Sequence, residues 1–188
     1  MSRVTSTDVA ILRVLANCRL ATPDQLASVA PTHLGLHAWI RRMHDAGYVE
    51  RFTVLARRPS EATVVARFDV DGPVPNFRAV SQYLRHRSNQ GEPTRLEVGR
   101  LGVRGATLLG LPQPRLPRAA EASHDLQMTE YTVRTLRTGA VAEWRTEQSL
   151  LRAGAYQGVV PDAEVLMDDD TLLVIECGGT YSRAKLVP

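Results

Sequence analysis

Two acidic residues near the end of the chain could bind a divalent cation. Asp162 lies in one run of β-branched and apolar residues, 159–167, and Glu176 lies near the end of a second run, 171–177. The acidic turn 168–170 joins the two runs, so the pattern predicts a β-hairpin. Carboxylates on neighbouring strands can share one Mg²⁺, which activates water and stabilises negative charge on phosphate. Asp162 and Glu176 are therefore candidate catalytic and metal-binding residues.

Further carboxylates could complete such a site, because Glu130 or Glu147 could supply a third oxygen ligand. The same residues also fit a purely structural interpretation. In that interpretation Asp162 opens a strand, Glu176 ends one, and the hairpin is acidic without binding a metal. The sequence leaves both interpretations open.

A second group of candidate residues is basic and lies in the first third of the chain. Arg41, Arg42 and His44 lie off the apolar stripe of one predicted helix, which also carries the candidate His37. Arg57 and Arg58 occupy a turn-like segment. Guanidinium groups bind phosphate oxygens in a bidentate manner. Their clustering on two adjacent elements favours contact with DNA phosphates or bases, and a solvated basic face is the alternative.

Three short helices and a hairpin are predicted to carry these basic residues. The spacing of apolar residues predicts helices over 7–17, 22–29 and 34–46, and the runs 48–55 and 62–70 predict two strands. Three helices followed by a basic hairpin is the order of a winged helix-turn-helix. In that class the third helix can enter the major groove while the hairpin tip contacts nearby phosphates or the minor groove.

Local signals set the predicted ends of these helices. Ser6 or Thr7 is available to cap the first helix, Thr22 and Gln25 fit a capping box at the start of the second, and Gly47 ends the third. The third helix carries an apolar stripe that we expect to pack inward, formed by Leu36, Trp39, Ile40 and Met43.

The rest of the chain predicts more helices and short strands. They are, in chain order, a helix over 77–87, a strand, a turn and a helix within 95–112, a helix over 124–137, a strand over 140–144, a helix over 146–153 and the acidic hairpin. We expect the helix 77–87 to pack on the winged helix or to form a dimer contact. The whole pattern predicts the α+β class.

Charge divides the chain into two halves at a proline-rich stretch. Residues 1–118 hold 17 arginines against nine acidic residues, a formal charge of +8, and residues 119–188 hold six basic against 11 acidic residues, a formal charge of −5. A basic domain favours polyanions through phosphate neutralisation, whereas an acidic one is repelled by DNA. We therefore expect a DNA-binding domain over 1–111, a linker over 112–118 and an acidic α/β domain over 119–188.

Composition argues against several other classes of protein. No apolar run reaches the roughly 18 residues that a membrane span needs, and the first residues lack the apolar core of a signal peptide. Cys18 and Cys177 have no partner at metal-ligand spacing, so we expect two reduced thiols and neither a zinc site nor a disulfide. These features predict a cytoplasmic protein without a membrane partner.

Four segments of the chain together resemble the replication-relaxation family of plasmids and integrated mobile elements of GC-rich bacteria. These segments read RLEVGRLGVRGATLLGLP, HDLQMTEYTV, EWRTEQSLLRAG and VVPDAEVLMDDDTLLVIECGGTYSRAKL. The resemblance covers most of residues 5–186, although its motifs are short. It implies a winged helix followed by a domain similar to the PD-(D/E)xK nuclease fold.

The resemblance also defines where this sequence departs from a nuclease. A full PD-(D/E)xK motif has a lysine two residues after the second acid, and Gly178 occupies that position here. Lys185 could replace it only from a migrated position. The fold would normally continue beyond Pro188 with another helix and strand, so we expect an incomplete, truncated nuclease-like core and favour a non-catalytic role for it.

Three functions remain compatible with these patterns. The leading hypothesis is a double-stranded DNA-binding protein of a mobile element, acting as a transcriptional regulator or as a replication or relaxation accessory factor, without a required cofactor; a homodimer is compatible with this role. The alternative is a Mg²⁺-dependent DNA nicking or cleaving enzyme that uses Asp162, Glu176, Glu147 and Lys185. The third is a protein-interaction adaptor whose acidic half binds a basic partner.

Overall fold

The computed structural model shows a mixed α+β protein with helices and small antiparallel sheets, which confirms the expected class. The structure describes residues 4–30, 35–60, 73, 76–88, 91–112, 118–157 and 160–177. Its elements are α1 (Ser6–Asn17), α2 (Pro23–Ala27), α3 (Leu36–Asp45), β1 (Val49–Ala56), α4 (Phe77–Ser88), β2 (Thr94–Leu101), α5 (Val103–Leu108), α6 (Ala122–Arg137), β3 (Val141–Thr146), α7 (Glu147–Ala153), β4 (Ala163–Met167) and β5 (Leu172–Ile175).

Helix α1 begins at a capping box one or two residues earlier than the sequence pattern predicts. The cap is Thr5, and neither Ser6 nor Thr7 fills this role: the Asp8 N–H donates to Thr5 Oγ1 at 3.2 Å, and the Thr5 N–H donates to Asp8 Oδ2 at 2.8 Å. Asp8 is an effective third residue for such a box because its carboxylate reaches back to the cap N–H and also faces the positive end of the helix dipole.

The start of α2 and the end of α3 agree with the sequence pattern, whereas α2 ends two residues before, and α3 begins two residues after, the predicted positions. Thr22 and Gln25 form the expected capping box at α2, with Pro23 at the first helical position. Gly47 follows α3 with φ of +78°, a left-handed conformation in which glycine lacks the steric penalty of other residues. The Tyr48 N–H then donates to Met43 O at 2.8 Å and satisfies a carbonyl at the end of α3.

A buried carboxylate joins α1 to α3. Asp8 is 1% exposed, and its Oδ1 accepts hydrogen bonds from Trp39 Nε1 at 2.7 Å and from an Arg42 NH group at 2.5 Å. Burial raises the pKa of Asp8, but the hydrogen bonds from Arg42, Thr5 and Trp39 outweigh burial and lower the pKa to about 2. A single side chain therefore caps α1 and fixes the orientation of α3.

Apolar residues from the first three helices close the main core around this carboxylate. The core also receives one end of the first sheet and one residue of α5, and its buried members are Ile11, Leu12, Leu15, Ala21, Leu26, Leu36, Trp39, Ile40, Met43, Val49, Leu101 and Ala106. The prediction that the apolar stripe of α3 packs inward is confirmed.

Strand β1 pairs along its whole length with β2, in antiparallel register from Val49 opposite Leu101 to Ala56 opposite Thr94. The sequence pattern instead predicts a pairing with 62–70, a segment that lies outside the described residues. The pairing with β2 depends on burying Leu96 and Val98, and neighbouring residues along the chain do not reveal such a long-range contact. Ala21 extends this sheet by exchanging two backbone hydrogen bonds with Gly99, at 2.9 and 2.8 Å.

Helix α5 packs unusually closely against the turn that follows α3. A Cβ atom at Gly105 would lie 2.4 Å from Tyr48 O, and one at Gly102 would lie 2.7 Å from Gly47 O. Both distances are too short for any side chain, so glycine is required at these two positions. The Gly102 N–H donates to Tyr48 O at 2.8 Å and fastens the start of α5 to the same turn.

The two halves of the chain share a second apolar cluster. Ala122 and Leu126 of α6 pack against Leu20, Ala56, Leu96 and Val98, all of which belong to the predicted first domain. Two buried hydrogen bonds reinforce the contact: Gln25 Nε2 donates to Leu126 O at 2.8 Å, and the Thr129 hydroxyl donates to Leu20 O. Residues 113–117, most of the predicted linker, lie outside the described residues, but α6 itself is packed on the first half.

The acidic half beyond α6 contains the sheet β3–β4–β5, and all of its strands are antiparallel. The predicted strand, short helix and acidic hairpin are confirmed, with turn 168–170 joining β4 to β5. None of the helices in the described ranges has the length and apolar character that crossing a membrane requires. The proposed packing or dimer role of α4 stays a prediction.

Replacing Asp8 tests the importance of the carboxylate that joins α1 to α3. We expect Asp8→Ala to lower the free energy of unfolding by about 3 kcal/mol, because it leaves the buried Trp39 N–H without an acceptor and removes the helix cap. Chemical denaturation at neutral pH measures this loss. The matched control is Asp24→Asn, an exposed acid in the first turn of α2, which should cost less than about 1 kcal/mol.

The same carboxylate predicts part of the response to acid. Its pKa is about 2 in the folded protein and 3.8 in an unperturbed aspartate, so the folded state binds this proton more weakly. The resulting stabilisation, about 2 kcal/mol, is present above pH 4 and is lost as the pH falls towards 2. The difference in stability between the wild type and Asp8→Ala should therefore shrink over that range. A constant difference would contradict this role for Asp8.

A methyl group at Gly105 tests the close approach of α5. We expect Gly105→Ala to destabilise the protein by about 2 kcal/mol, even after the roughly 1 kcal/mol gain in helix propensity, because the new Cβ must displace the backbone at Tyr48. The control is Gly35→Ala, where a Cβ would meet only Ala38 Cβ at 4.0 Å. Thermal unfolding of the two variants should separate clearly, and equal melting temperatures would be inconsistent with the tight packing.

Candidate functional site

One face of α3 is exposed and polar because its opposite face is buried in the main core. His37, Arg41 and His44 follow one another at spacings of four and three residues, which places them on one stripe of the helix surface, and all three are exposed. The buried residues of α3 hold this stripe in a fixed orientation. The helix therefore presents two histidines and an arginine outward from a rigid support.

Arg41 and Arg42 line a surface groove together with Arg104 of α5. Tyr48 and Asp45 also line this groove, which we call the arginine groove. Three guanidinium groups and one carboxylate give its lining a formal charge of +2. Such a surface attracts phosphate, and the single carboxylate reduces that attraction without cancelling it.

Arg104 is absent from the residues that the sequence pattern indicates, and two contacts hold it at the groove. One of its NH groups donates to Ala46 O at 2.8 Å, and its Cζ atom lies 5.0 Å from the centroid of the Tyr48 ring. The position of Arg104 depends on the close packing of Gly102 and Gly105 beside it. In the sequence, the two glycines on either side of this arginine, in Gly102-Val103-Arg104-Gly105, could have indicated this close packing.

The arginines of this region differ in whether a carboxylate of the protein already pairs with them. Arg42 is partly exposed but pairs with Asp8 at 2.5 Å. Arg51 pairs with Glu97 across the first sheet, and Arg100 pairs with Glu50. Arg41, by contrast, is exposed and forms no hydrogen bond or ion pair with any described residue. Arg41 is therefore the arginine of α3 that is best placed to contact another molecule.

Arg57 and Arg58, predicted at a hairpin tip, lie just beyond β1 and do not line the arginine groove. The Arg57 N–H donates to Ser123 Oγ at 3.0 Å, and the Ser60 N–H donates to Gln127 Oε1 at 2.9 Å, so this segment is fastened to α6. At about 3.3 Å per residue, the eight residues of β1 span roughly 23 Å between the two basic sites. The sequence prediction places the arginines of α3 and those after β1 on one continuous surface, whereas in the structure the length of β1 lies between them.

Asp162 and Glu147, two of the predicted catalytic residues, belong to one cluster of charged side chains around α6. Asp162 Oδ2 accepts a hydrogen bond from the Cys177 N–H at 2.7 Å and lies 3.2 Å from His124 Nε2. Arg19 pairs with Glu147 and lies 3.5 Å from Asp125. The cluster joins the end of α1 to α6 and to the second sheet, so its observed contacts are those of a structural ionic network.

His124 is the positive centre of this cluster. The carboxylates of Asp125 and Asp162 raise its pKa to about 10, more than burial lowers it. At neutral pH both ring nitrogens are therefore protonated, and Nε2–H donates to Asp162. His124 is not among the residues that the sequence pattern indicates, although its position beside Asp125 at the start of a predicted amphipathic helix was an available signal.

The remaining nuclease candidates are Glu176, Glu130 and Lys185. Glu176 is exposed at the end of β5, Glu130 binds Arg134 on α6, and Lys185 and Gly178 lie outside the described residues. Across the described ranges, no group of three or more His, Cys, Asp or Glu side chains has an arrangement suited to a metal ion. The Mg²⁺ site at Asp162 and Glu176 stays a prediction.

A buried carboxylate in β4 also lies outside the predicted set. Glu164 is 6% exposed, accepts a hydrogen bond from the Tyr156 hydroxyl and lies 3.7 Å from an Arg145 nitrogen. Its hydrogen bond with Tyr156 raises the pKa of that phenol. Glu164 therefore ties the loop after α7 to the sheet, which is a structural role.

Comparison with family models, with curated proteins and with solved structures finds no significant match to this chain. The resemblance to the replication-relaxation family therefore stays a prediction, and the function has to be argued from the site itself.

The pKa of His124 predicts a stability change in mild alkali. The folded state holds this proton up to about pH 10, whereas an unperturbed histidine loses it near pH 6.5. The stabilisation is therefore complete below pH 6.5 and is lost as the pH rises towards 10. We expect the free energy of unfolding to fall over this range and His124→Gln to remove most of that slope. The exposed His86 gives the control, His86→Gln, and a slope that both variants retain would contradict the assignment to His124.

Proposed function

We propose that this protein binds double-stranded DNA through the exposed face of α3 and the arginine groove beside it. The single observation that carries the proposal is the grouping of Arg41, Arg42 and Arg104 around a rigid, exposed helix. A helix of this kind fits the major groove of B-form DNA, and the neighbouring guanidinium groups are suited to the phosphates that line it.

The order of the elements supports a winged helix-turn-helix interpretation. Helices α1, α2 and α3 precede the antiparallel pair β1 and β2, and Ala21, between the first two helices, joins the edge of that sheet. In this class the third helix is the recognition helix. The proposed recognition surface is therefore the stripe His37, Arg41 and His44, with Arg104 as an additional phosphate contact.

The segment after β1 has a smaller part in this proposal. Arg58 is exposed and could contact a phosphate about one strand length away from α3, whereas the Arg57 backbone is bound to α6. The acidic half packs against the first half through α6, and its net charge disfavours wrapping of DNA around that side. A role as a regulator or as a replication or relaxation accessory factor of a mobile element would follow from the family resemblance alone.

Binding of duplex DNA should depend on Arg41. We expect Arg41→Ala to weaken the affinity about tenfold and to reduce the slope of log affinity against log salt by about one, because one phosphate contact is lost. Fluorescence anisotropy with labelled duplexes, including the DNA upstream of the protein's own coding sequence, measures both quantities over a salt series. Arg41 is preferred to Arg42 for this test because removing Arg42 would also disturb Asp8.

Arg137→Ala is the matched control, because Arg137 is an exposed arginine on α6 and its removal changes the net charge equally. This variant should bind within about twofold of the wild type. Equal losses in the two variants would mean that another face binds DNA. Absence of any binding at low salt would eliminate the proposed function and favour the protein-interaction adaptor.

A further inference from the structure

One carboxylate lies among the three arginines of the arginine groove and pairs with none of them. Asp45 is the last residue of α3, and it is exposed and lines the groove together with Arg41, Arg42 and Arg104. Within the described part of the chain, its side chain forms no hydrogen bond and no ion pair. The groove therefore carries an acceptor that the protein itself does not use.

The contacts of the arginines are consistent with this lack of pairing. Arg42 pairs with Asp8, and Arg104 donates to a backbone carbonyl. Arg41 lies four residues before Asp45, and a helical ion pair with the basic residue first is weaker than one with the acidic residue first. The carboxylate of Asp45 is thus open to contact with another molecule.

The position of Asp45 benefits neither the helix nor the attraction of phosphate. The C-terminal end of a helix carries a partial negative charge, which disfavours a carboxylate in the last turn. A carboxylate in a basic groove also repels phosphate and lowers the affinity for any duplex, whatever its sequence. An interaction that depends on the sequence of the duplex can offset both costs.

The chemistry of a carboxylate restricts what Asp45 can contact on DNA. It only accepts hydrogen bonds, and the donors on the major-groove edges of the bases are the N4 amino group of cytosine and the N6 amino group of adenine. In adenine the acceptor N7 lies beside N6 and repels a carboxylate oxygen. Cytosine has no acceptor of its own beside N4 in this groove, so cytosine is the better match.

We propose that Asp45 is a specificity-determining residue that accepts a hydrogen bond from N4 of a cytosine in the major groove, while the arginines beside it bind phosphates. This inference rests on the proposed function and adds the preferred base to it. Repulsion between Asp45 and phosphate weakens binding to duplexes that lack a cytosine at this position, which increases the selectivity further.

Selection from a pool of random duplexes measures the base preference of the wild type and of two variants. We expect the wild type to enrich cytosine about tenfold at one position. Asp45→Ala should lose this preference and bind random duplexes about threefold more tightly, because a negative charge is removed. Asp45→Asn should prefer adenine at the same position, since an amide group matches both N6 and N7 of adenine.

A matched variant and a modified base make the test selective. Asp168→Asn removes the same charge from an exposed acid of the turn 168–170, and it should keep the wild-type preference. N4-methylcytosine still pairs with guanine but carries a methyl group in place of the major-groove N–H. In fluorescence anisotropy this base should weaken wild-type binding about tenfold and leave binding by Asp45→Ala unchanged.

Two kinds of result would overturn the inference, and they can be told apart. If the wild type binds duplexes but both Asp45 variants keep its base preference, or if N4-methylation has no effect on wild-type binding, Asp45 does not select a base, and the proposed DNA binding stands. If the wild type binds no duplex at low salt, the proposed function fails and this inference fails with it. Thermal unfolding of the variants verifies that replacing this exposed residue leaves the fold intact.

Discussion

The first half of this protein depends on one buried carboxylate. Asp8 closes the N-terminus of α1 and at the same time accepts hydrogen bonds from Trp39 and Arg42 of α3. A carboxylate is costly to bury unless charged or polar donors surround it, and here the donors come from two separate helices. The helix that carries the proposed recognition surface is therefore oriented by electrostatics as well as by apolar packing. Arg42 serves this support directly, which leaves Arg41 as the exposed arginine of the pair.

Steric constraint completes the arginine groove. The left-handed Gly47 ends α3 and directs the chain into β1, and Gly102 and Gly105 allow α5 to approach that turn without any intervening side chain. Because of this approach, Arg104 reaches Ala46 O and the face of Tyr48. A groove with three guanidinium groups thus depends on three glycines: Gly47 for its left-handed conformation, and Gly102 and Gly105 because a side chain there would hold α5 away.

Helix α6 connects both halves and also explains the behaviour of the charged residues around it. Its apolar face completes the cluster of Leu20 and Leu96, while its polar residues His124 and Asp125 meet Arg19 and Asp162. Two of the acids predicted for catalysis or metal binding, Asp162 and Glu147, contact a protonated histidine, a backbone N–H and a guanidinium group.

The sequence by itself determined the local structure. It predicts the capping box at Thr22, the end of α3 at Gly47, the inward stripe with Trp39 and the order of helices and strands. All of these features follow from contacts between residues a few positions apart. Only the tertiary structure decided that β1 pairs with β2, that Arg104 joins Arg41, that Arg57 is fastened to α6 and that Asp162 contacts His124. These contacts join residues that are far apart in the chain, and they form because shared apolar burial brings α5 against the first three helices and α6 against the first sheet. Periodicity along the sequence carries no information about such pairings.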